Sequence, residues 1–477
     1  MELITSDILH PDFQVHVPHG YHLSLIEKYS RNDILRRVSQ AKSFLLQQGC
    51  RPGQKIILTH NVWPYYLVWF LAGADLGLTF VVSDYPKMTR LFSVKKKLEL
   101  YGEIDIVIGT SEYDPEWAFF KDTAKSIFNM RSYLSVEVAK DFNPVFATPD
   151  TVLIAATSSG STGTPKIIKH THRFFYQLLH RNARLYNLHP DDSCLHTKIL
   201  HHGSVTGVFF LPTLAYCKHH HHLVLKEDLV DHTEWVSYVQ RNKISRLFLM
   251  DNMLVEIAEN MSKQQKAHDT MTIYVLSNID NNSAIKLTRE FGYKIQSIFG
   301  CTETSGPLFL PTVDCGNVET FDKFNQGKVL DDFYGVSLNE EQVLQIKMPD
   351  GRLISTGDKF KKNKNNEWIH GGRDHLYRIK NKPIYLDLLV ECIENFTKSK
   401  ICDEKFDLVI DQEMDNIYLR TEIKFDLQKL NDFILNEIGD TAYLIGTVVK
   451  GKKKDFYSGI KFDPEEVRLR ARKQINP

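Results

Sequence analysis

Cysteine is scarce in this chain: seven in 477 residues, at positions 50, 194, 217, 301, 315, 392 and 402, with no CxxC pair. An odd, scattered set excludes a disulfide framework and is expected of reduced thiols in a cytoplasmic protein. Net charge is also lacking, since 59 Lys and Arg balance 59 Asp and Glu. A protein whose partner is nucleic acid is normally basic, so no nucleic-acid partner is expected. The opening residues, MELITSDILHPDF, hold no basic segment followed by an apolar run, so they do not read as a secretory signal. There is no internal repeat and no low-complexity tract. With 42% hydrophobic and 25% charged residues the composition is globular, which rules out disorder and fibrous repeats. Long apolar runs are absent too, apart from Tyr65–Val82. Asp75 lies within that run and Gly73 and Gly77 interrupt it, so it reads as a buried helix, a turn and a buried strand, with no membrane span.

What is present is an alternation of helical patterns with short β-branched runs, the mark of an α/β fold whose strands are buried on both faces. Asn32 is a candidate cap for a helix with apolar residues at Leu35, Val38, Ala41 and Leu45, and Gly49 stops it. Strands are expected at Lys55–Leu58, Thr79–Val82, Ile104–Ile108, Val152–Ala156, Leu247–Met250 and Ile273–Leu276. The polar stretch KFKKNKNNE after Thr356, followed by Gly371-Gly372-Arg373, marks a boundary between a large N-terminal part, residues 1–372, and a small C-terminal domain, residues 373–477.

The densest chemical signal is Thr157-Ser158-Ser159-Gly160-Ser161-Thr162-Gly163-Thr164-Pro165-Lys166, directly after a buried strand. Such a run offers backbone N–H groups and hydroxyls to phosphate oxygens, and Lys166 adds positive charge. It is not the common P-loop, which ends in Gly-Lys-Ser/Thr; here Pro165 precedes the lysine and Ile167 follows it. Taken alone it is also compatible with a flexible surface turn.

Other motifs follow in a fixed order: Gly53-Gln54-Lys55-Ile56-Ile57, the Phe70–Val82 unit, Phe299-Gly300-Cys301-Thr302-Glu303, Ser355-Thr356-Gly357-Asp358 and Gly372-Arg373. Together with the hydroxyl-rich loop they resemble the signatures of the adenylate-forming superfamily, which comprises acyl-CoA synthetases, peptide-synthetase adenylation domains and beetle luciferases. The resemblance runs from about residue 30 to residue 380. It implies a large N-terminal domain of stacked α/β subdomains and a small mobile C-terminal α+β domain. It also implies a reaction in which a small-molecule carboxylic acid attacks the α-phosphate of ATP, pyrophosphate leaves, and the acyl-adenylate passes to a thiol on CoA or on the phosphopantetheine of a carrier protein. Glu303 becomes the expected Mg2+ ligand, a hard oxygen donor for a hard ion. Thr302 is expected to hydrogen-bond the α-phosphate, Phe299 and Gly300 to lie against adenine with Ser277 and Asn278 nearby, Asp358 to accept the ribose hydroxyls, and Arg373 to donate to the sugar.

The acyl side is read from Leu200-His201-His202-Gly203-Ser204-Val205, which is similar to the segment where acyl-CoA synthetases carry an aromatic-His pair and amino-acid-activating domains carry Phe-Asp-x-Ser-Val. His202 falls on that His or Asp, unless it is a core histidine. Cys217 and His219–His222 suggest a metal cluster, but consecutive strand residues face opposite ways and no second half-site stands at zinc spacing. A solvated or adventitiously metal-binding stretch is expected there.

The C-terminal part departs from the pattern. The hinge falls on Asp374 or His375, and Pro383 stands where a glycine is usual. The terminal Ser-Gly-Lys carries an insertion, Ser458-Gly459-Ile460-Lys461. Lys461 is thus the candidate for the lysine that bridges carboxylate and α-phosphate, against Lys452, Lys453, Lys454 or none. Alternatives to a thiol-transferring ligase are a non-catalytic nucleotide-binding or acyl-adenylate-binding protein and a ligase with an amine acceptor.

Overall fold

The computed structural model describes the chain except residues 1, 20–21, 60–62, 83–98, 110–119, 121–123, 140–141, 158–166, 197–205, 224–231, 251–253, 255–270, 277–280, 321–324, 374–376, 380–381, 385–388, 390–391, 394–395, 397–405, 412–413, 422–425, 439–440, 451–456, 459–460, 463–466, 468–469, 473 and 475–477. Its contacts divide it into two compact units, the second made mainly of Arg373–Pro477.

The described residues of the larger unit form three sheets. In the first, six described strands run Ala124–Asn129, Ile104–Gly109, Lys55–Leu58, Thr79–Val82, Val152–Thr157, Ile167–Thr171 from edge to edge. All neighbouring pairs are parallel except the last, where Thr157 and Ile167 are antiparallel register partners. The second sheet has eight described strands, with Ser193–His196, Arg246–Met250, Thr272–Leu276 and Lys294–Ile298 parallel at its centre. Along these strands alternate residues serve separate cores. Phe248, Tyr274 and Ile298 join the cluster that includes Trp69 and Phe70, whereas Leu247, Leu249, Ile273 and Val275 join Tyr238 and Leu287 on the other side. This two-sided burial explains why the strands read as continuous apolar runs. The third sheet, of four strands, ends with Leu353–Lys362 and Trp368–Arg373. KFKKNKNNE is therefore a strand end and a hairpin turn.

The run Tyr65–Val82 divides as expected, into the helix Tyr65–Asp75 and the strand Thr79–Val82. No helix among the described residues is long and apolar enough to cross a membrane. The helix Arg31–Gln47 begins two residues earlier than the sequence suggests. Its cap is Ser30, not Asn32, because Ser30 and Asp33 form a reciprocal capping box that Asn32 has no partner to match. Gly49 does end it, at φ +75°, a backbone conformation that suits glycine.

The strand His219–His222 corrects a second expectation. Far from solvated, His220, His221 and His222 are buried between Gln14–His19 and Ser193–His196. The faces do alternate: His221 meets the Tyr238 hydroxyl at 2.8 Å, while His196 Nε2 lies 3.1 Å from His220 Nδ1 and Trp63 stacks between His196 and His222. His220 Nε2 donates to the Cys217 carbonyl, which leaves Nδ1 as the acceptor for His196. Burial pushes His220 and His221 down to about 3, so they are neutral packing groups. Among the described residues no cluster of His, Cys, Asp and Glu could hold a metal ion.

The smaller unit contains an antiparallel pair, Phe406–Asp411 with Asn416–Thr421, extended in parallel by Thr447–Lys450. The helix Leu427–Ile438 covers it through Leu430, Ile434 and Ile438. Lys461 pairs with Ser458 in a short hairpin.

Candidate active site

The strands Thr272–Leu276 and Lys294–Ile298 end level with each other, with Leu276 opposite Ile298. Phe299 leaves the second of them and closes a loop on itself, its N–H donating to the Phe309 carbonyl at 3.1 Å and its own carbonyl accepting from the Leu308 N–H at 2.8 Å. Carboxyl ends of parallel strands are where open α/β sheets bind ligands.

Within that loop, residues 301–306 form a turn whose carbonyls are held by side chains. The Thr304 hydroxyl lies 3.0 Å from the Cys301 carbonyl and 2.9 Å from that of Gly306. The Tyr334 hydroxyl donates to the Thr304 carbonyl at 2.7 Å. The Thr302 carbonyl accepts from His170 Nε2 at 2.9 Å and from the Ser305 hydroxyl at 3.1 Å. Gly300 is required here, because a Cβ would come within 2.4 Å of the Gly306 carbonyl oxygen. Thr304 and Ser305 are buried whereas Thr302 and Glu303 are half-buried, so the turn is anchored below and presents its hydroxyl and carboxylate above. The Glu303 carboxylate lies close enough to the Cys301 thiol to help burial push it up to about 12, and the thiol is therefore no nucleophile.

His170 and Tyr334 were not foreseen from the sequence. His170 belongs to the strand Ile167–Thr171, which leaves the hydroxyl-rich loop. Its ring stacks on Phe174 at 4.5 Å, and burial lowers it to about 4, so it is neutral and donates only through Nε2. Tyr334 packs against the Arg181 guanidinium, which is itself held by Asp331 at 2.8 Å.

Phe299 and Asp358 come together across a third unforeseen residue, His370. The His370 ring centroid lies 5.5 Å from that of Phe299 and 5.1 Å from that of Phe360, and its Nε2 is 3.5 Å from Asp358 Oδ1. Asp358 is fixed from behind, where its N–H donates to the Thr356 hydroxyl, which donates in turn to the Leu344 carbonyl. An aromatic face beside a carboxylate suits a nucleoside, whose base stacks and whose vicinal hydroxyls donate.

The structure therefore gathers Phe299, Gly300, Thr302 and Glu303 in one loop, with Asp358 and Phe299 both against the His370 ring. Thr157 ends the strand beside the one that carries His170. Ser158, Ser159, Gly160, Ser161, Thr162, Gly163, Thr164, Lys166, His202, Ser277 and Asn278 lie outside the described residues, as do the side chains of Arg373 and Lys461. A single half-buried carboxylate fits magnesium, which takes one or two carboxylates and completes its shell with phosphates and water. Glu303 would hold it.

The chain belongs to the family of AMP-binding enzymes, whose model matches residues 21–342. Among solved structures it is similar, over 98% of both chains, to an o-succinylbenzoate CoA synthetase of Bacillus subtilis, with a TM-score of 0.76 and 12% identity. It also resembles the amide bond synthetase McbA of Marinactinospora thermotolerans, over 93% of this chain and 95% of that one (TM-score 0.71, 13% identity). The fused adenylation and carrier-protein pair NpsA-ThdA of Klebsiella oxytoca matches over 94% of each chain (TM-score 0.70, 14% identity). At these identities the likeness is one of fold. No curated protein sequence matches the chain.

Proposed function

We propose that this protein is a ligase that activates a carboxylic acid as its acyl-adenylate, releasing pyrophosphate from ATP, and then passes the acyl group to a thiol on CoA or a carrier protein. The observation that carries the proposal is the loop that holds Phe299, Thr302 and Glu303, with Asp358 joined to Phe299 through His370, in a chain of the AMP-binding family. A neighbour in fold, the Bacillus subtilis o-succinylbenzoate CoA synthetase, is known in complex with ATP and magnesium ion, which supports the same pair here.

In this reading Phe299 stacks on adenine and Asp358 accepts from the ribose hydroxyls. The Thr302 hydroxyl and the 157–166 loop donate to phosphate oxygens. Both reactants are anions, so Lys166 and Lys461 offset their repulsion and align the carboxylate with the α-phosphate. Magnesium, held by Glu303 when bound, neutralises charge that builds on the phosphates.

The substrate class rests on His202. An amino acid brings an α-ammonium whose burial is costly without a facing carboxylate. No acidic residue lies between His196 and Lys226, and a histidine offers no compensating negative charge. The acid is thus one without an α-amino group. An amine acceptor is the second reading, favoured by the likeness to an amide bond synthetase.

Labelled pyrophosphate exchange into ATP, run over α-amino acids and their deamino counterparts, tests both steps of the reading. Exchange with deamino acids is expected. Preference for free amino acids would overturn the substrate class, and exchange with neither panel would leave a binder and no ligase. The acceptor is tested by trapping the adenylate and adding CoA, a phosphopantetheinylated carrier or an amine. Lys461→Ala is expected to depress adenylation at least tenfold while transfer from supplied adenylate stays near normal, because only the first step needs that cation. Equal loss in both steps would make the lysine structural.

A further inference from the structure

We infer that His170 is a positioning residue that ties the strand Ile167–Thr171 to the Thr302–Glu303 turn, fixing where the turn presents its hydroxyl and carboxylate to a magnesium-bound polyphosphate. The inference rests on the functional reading above for the roles of Thr302 and Glu303, and on the geometry for the coupling itself. His170 stands on the strand Ile167–Thr171, whose first residue pairs with Thr157. Thr157 and Ile167, which flank residues 158–166, are therefore held side by side, and Ile167 begins the strand that also carries the imidazole. From there Nε2 donates to the carbonyl of Thr302, 132 residues further along the chain, at 2.9 Å.

Three features make this contact a directional link. His170 is 1% exposed, so water does not compete for the Thr302 carbonyl. Its ring is clamped by Phe174, stacked at 4.5 Å and 12°, and by Phe175, edge-on at 5.5 Å, so it cannot swing away from the carbonyl. The Thr302 carbonyl can only accept, which fixes the proton on Nε2, and Nδ1 meets no hydrogen-bonding group among the described residues. The Ser305 hydroxyl, the other donor to the Thr302 carbonyl, comes from within the turn and ties it to nothing outside. A turn tied to a neighbouring strand is held in place before the ligand arrives, which lowers the ordering cost of binding it.

The test uses the full chain with three substitutions. His170→Phe keeps the stacking and removes the donor, His170→Met does so with a more adaptable side chain, and His170→Gln places a donor near the position of Nε2. ATP with magnesium and adenosine alone are titrated calorimetrically, and amide hydrogen exchange is followed over residues 300–306 without ligand. His170→Phe, or His170→Met if the first does not fold, is expected to bind magnesium-ATP roughly tenfold more weakly, the size of one lost neutral hydrogen bond. Adenosine affinity should stay within twofold, since Phe299 and Asp358 are untouched. Exchange across the turn should quicken, and His170→Gln should restore most of the magnesium-ATP affinity. Equal loss of adenosine and magnesium-ATP would mean a general structural defect, and unchanged magnesium-ATP affinity would mean no coupling; either overturns the inference. A wild type that binds neither ligand would overturn the functional reading instead. The coupling would then be decided by hydrogen exchange alone, with unchanged rates over 300–306 in the donor-less variants ruling it out.

Discussion

Glu303 carries a carboxylate on a turn whose neighbours are locked from below, and this division of labour sets what single substitutions do. Glu303→Gln keeps the size and removes the charge. Pyrophosphate exchange should fall about a hundredfold, close to 3 kcal/mol of transition-state stabilisation, while the unfolding midpoint barely moves. Activity within threefold of wild type at limiting magnesium would show that the ion is held elsewhere. Gly300→Ala should behave in the opposite way. Its Cβ would meet backbone oxygen at 2.4 Å, so the turn itself must shift, and both stability and exchange activity should drop. A variant with wild-type melting and turnover would refute that. At this scale Phe299, Thr302, Glu303 and Asp358 stood out by their motifs, and the structure puts the first three in one loop and Asp358 beside the His370 ring that also meets Phe299. His170, Tyr334 and His370 did not, because a supporting side chain needs only a donor or a ring at the right point and any of several residues supplies one. Their positions, 170, 334 and 370, obey no spacing.

The element that ties the larger unit's first helices together is an ion pair taken wholly out of water. Lys42 on the helix Arg31–Gln47 meets Asp75 at the end of the helix Tyr65–Asp75 at 2.7 Å, with both side chains fully buried. Ser6 donates to the same carboxylate through its N–H at 2.8 Å and its hydroxyl at 2.7 Å, and Lys42 also contacts Asn143. Burial raises the Asp75 carboxyl, and the Lys42 and Ser6 contacts work against that rise. Removing one partner strands the other charge, so Asp75→Ala should destabilise by about 3–5 kcal/mol. The double variant Lys42→Met with Asp75→Leu should cost much less than the sum of the singles. If the single variant unfolds in denaturant within 1 kcal/mol of wild type, roughly the value of an exposed pair, the buried pair is not what holds these helices. Asp75 was visible in the sequence as a charge inside an apolar run, which was enough to split that run into helix and strand. Its partner was not visible, since nothing in the spacing of Lys42 distinguishes it from a solvated lysine. The histidine strand shows the same limit from the other side: four consecutive imidazoles read as polar, and only the sheet order, which places the strand between two neighbours, makes three of them interior.

Across the whole molecule those interior imidazoles set how stability depends on pH. Burial holds His220 and His221 down to about 3 and His170 and His172 down to about 4, against an ordinary value near 6.5. His196 is lowered as well, by burial first and by its histidine neighbours second. Above the ordinary value both the folded and the unfolded chain keep these rings neutral, and stability is unaffected. Below it the unfolded chain takes up protons that the folded chain refuses, so stability falls as pH drops from about 6.5 toward 4. At pH 5 each ring with so low a value costs about 2 kcal/mol, from one and a half units at 1.36 kcal/mol each. Asp75, whose carboxyl is raised, works the other way once the solution is acid enough to protonate it. Four rings nonetheless amount to a loss of the same order as the 5–15 kcal/mol that holds a typical domain together. Thermal unfolding of the full chain should therefore move down by on the order of 10 °C between pH 7 and pH 5. The proton uptake on unfolding at pH 5, read by calorimetry in buffers of different ionisation enthalpy, should be positive and close to one per buried ring. A midpoint that stays level over that range, or unfolding without proton uptake, would mean that the rings are charged in the folded protein. They would then need partners other than Tyr238, Trp63 and each other.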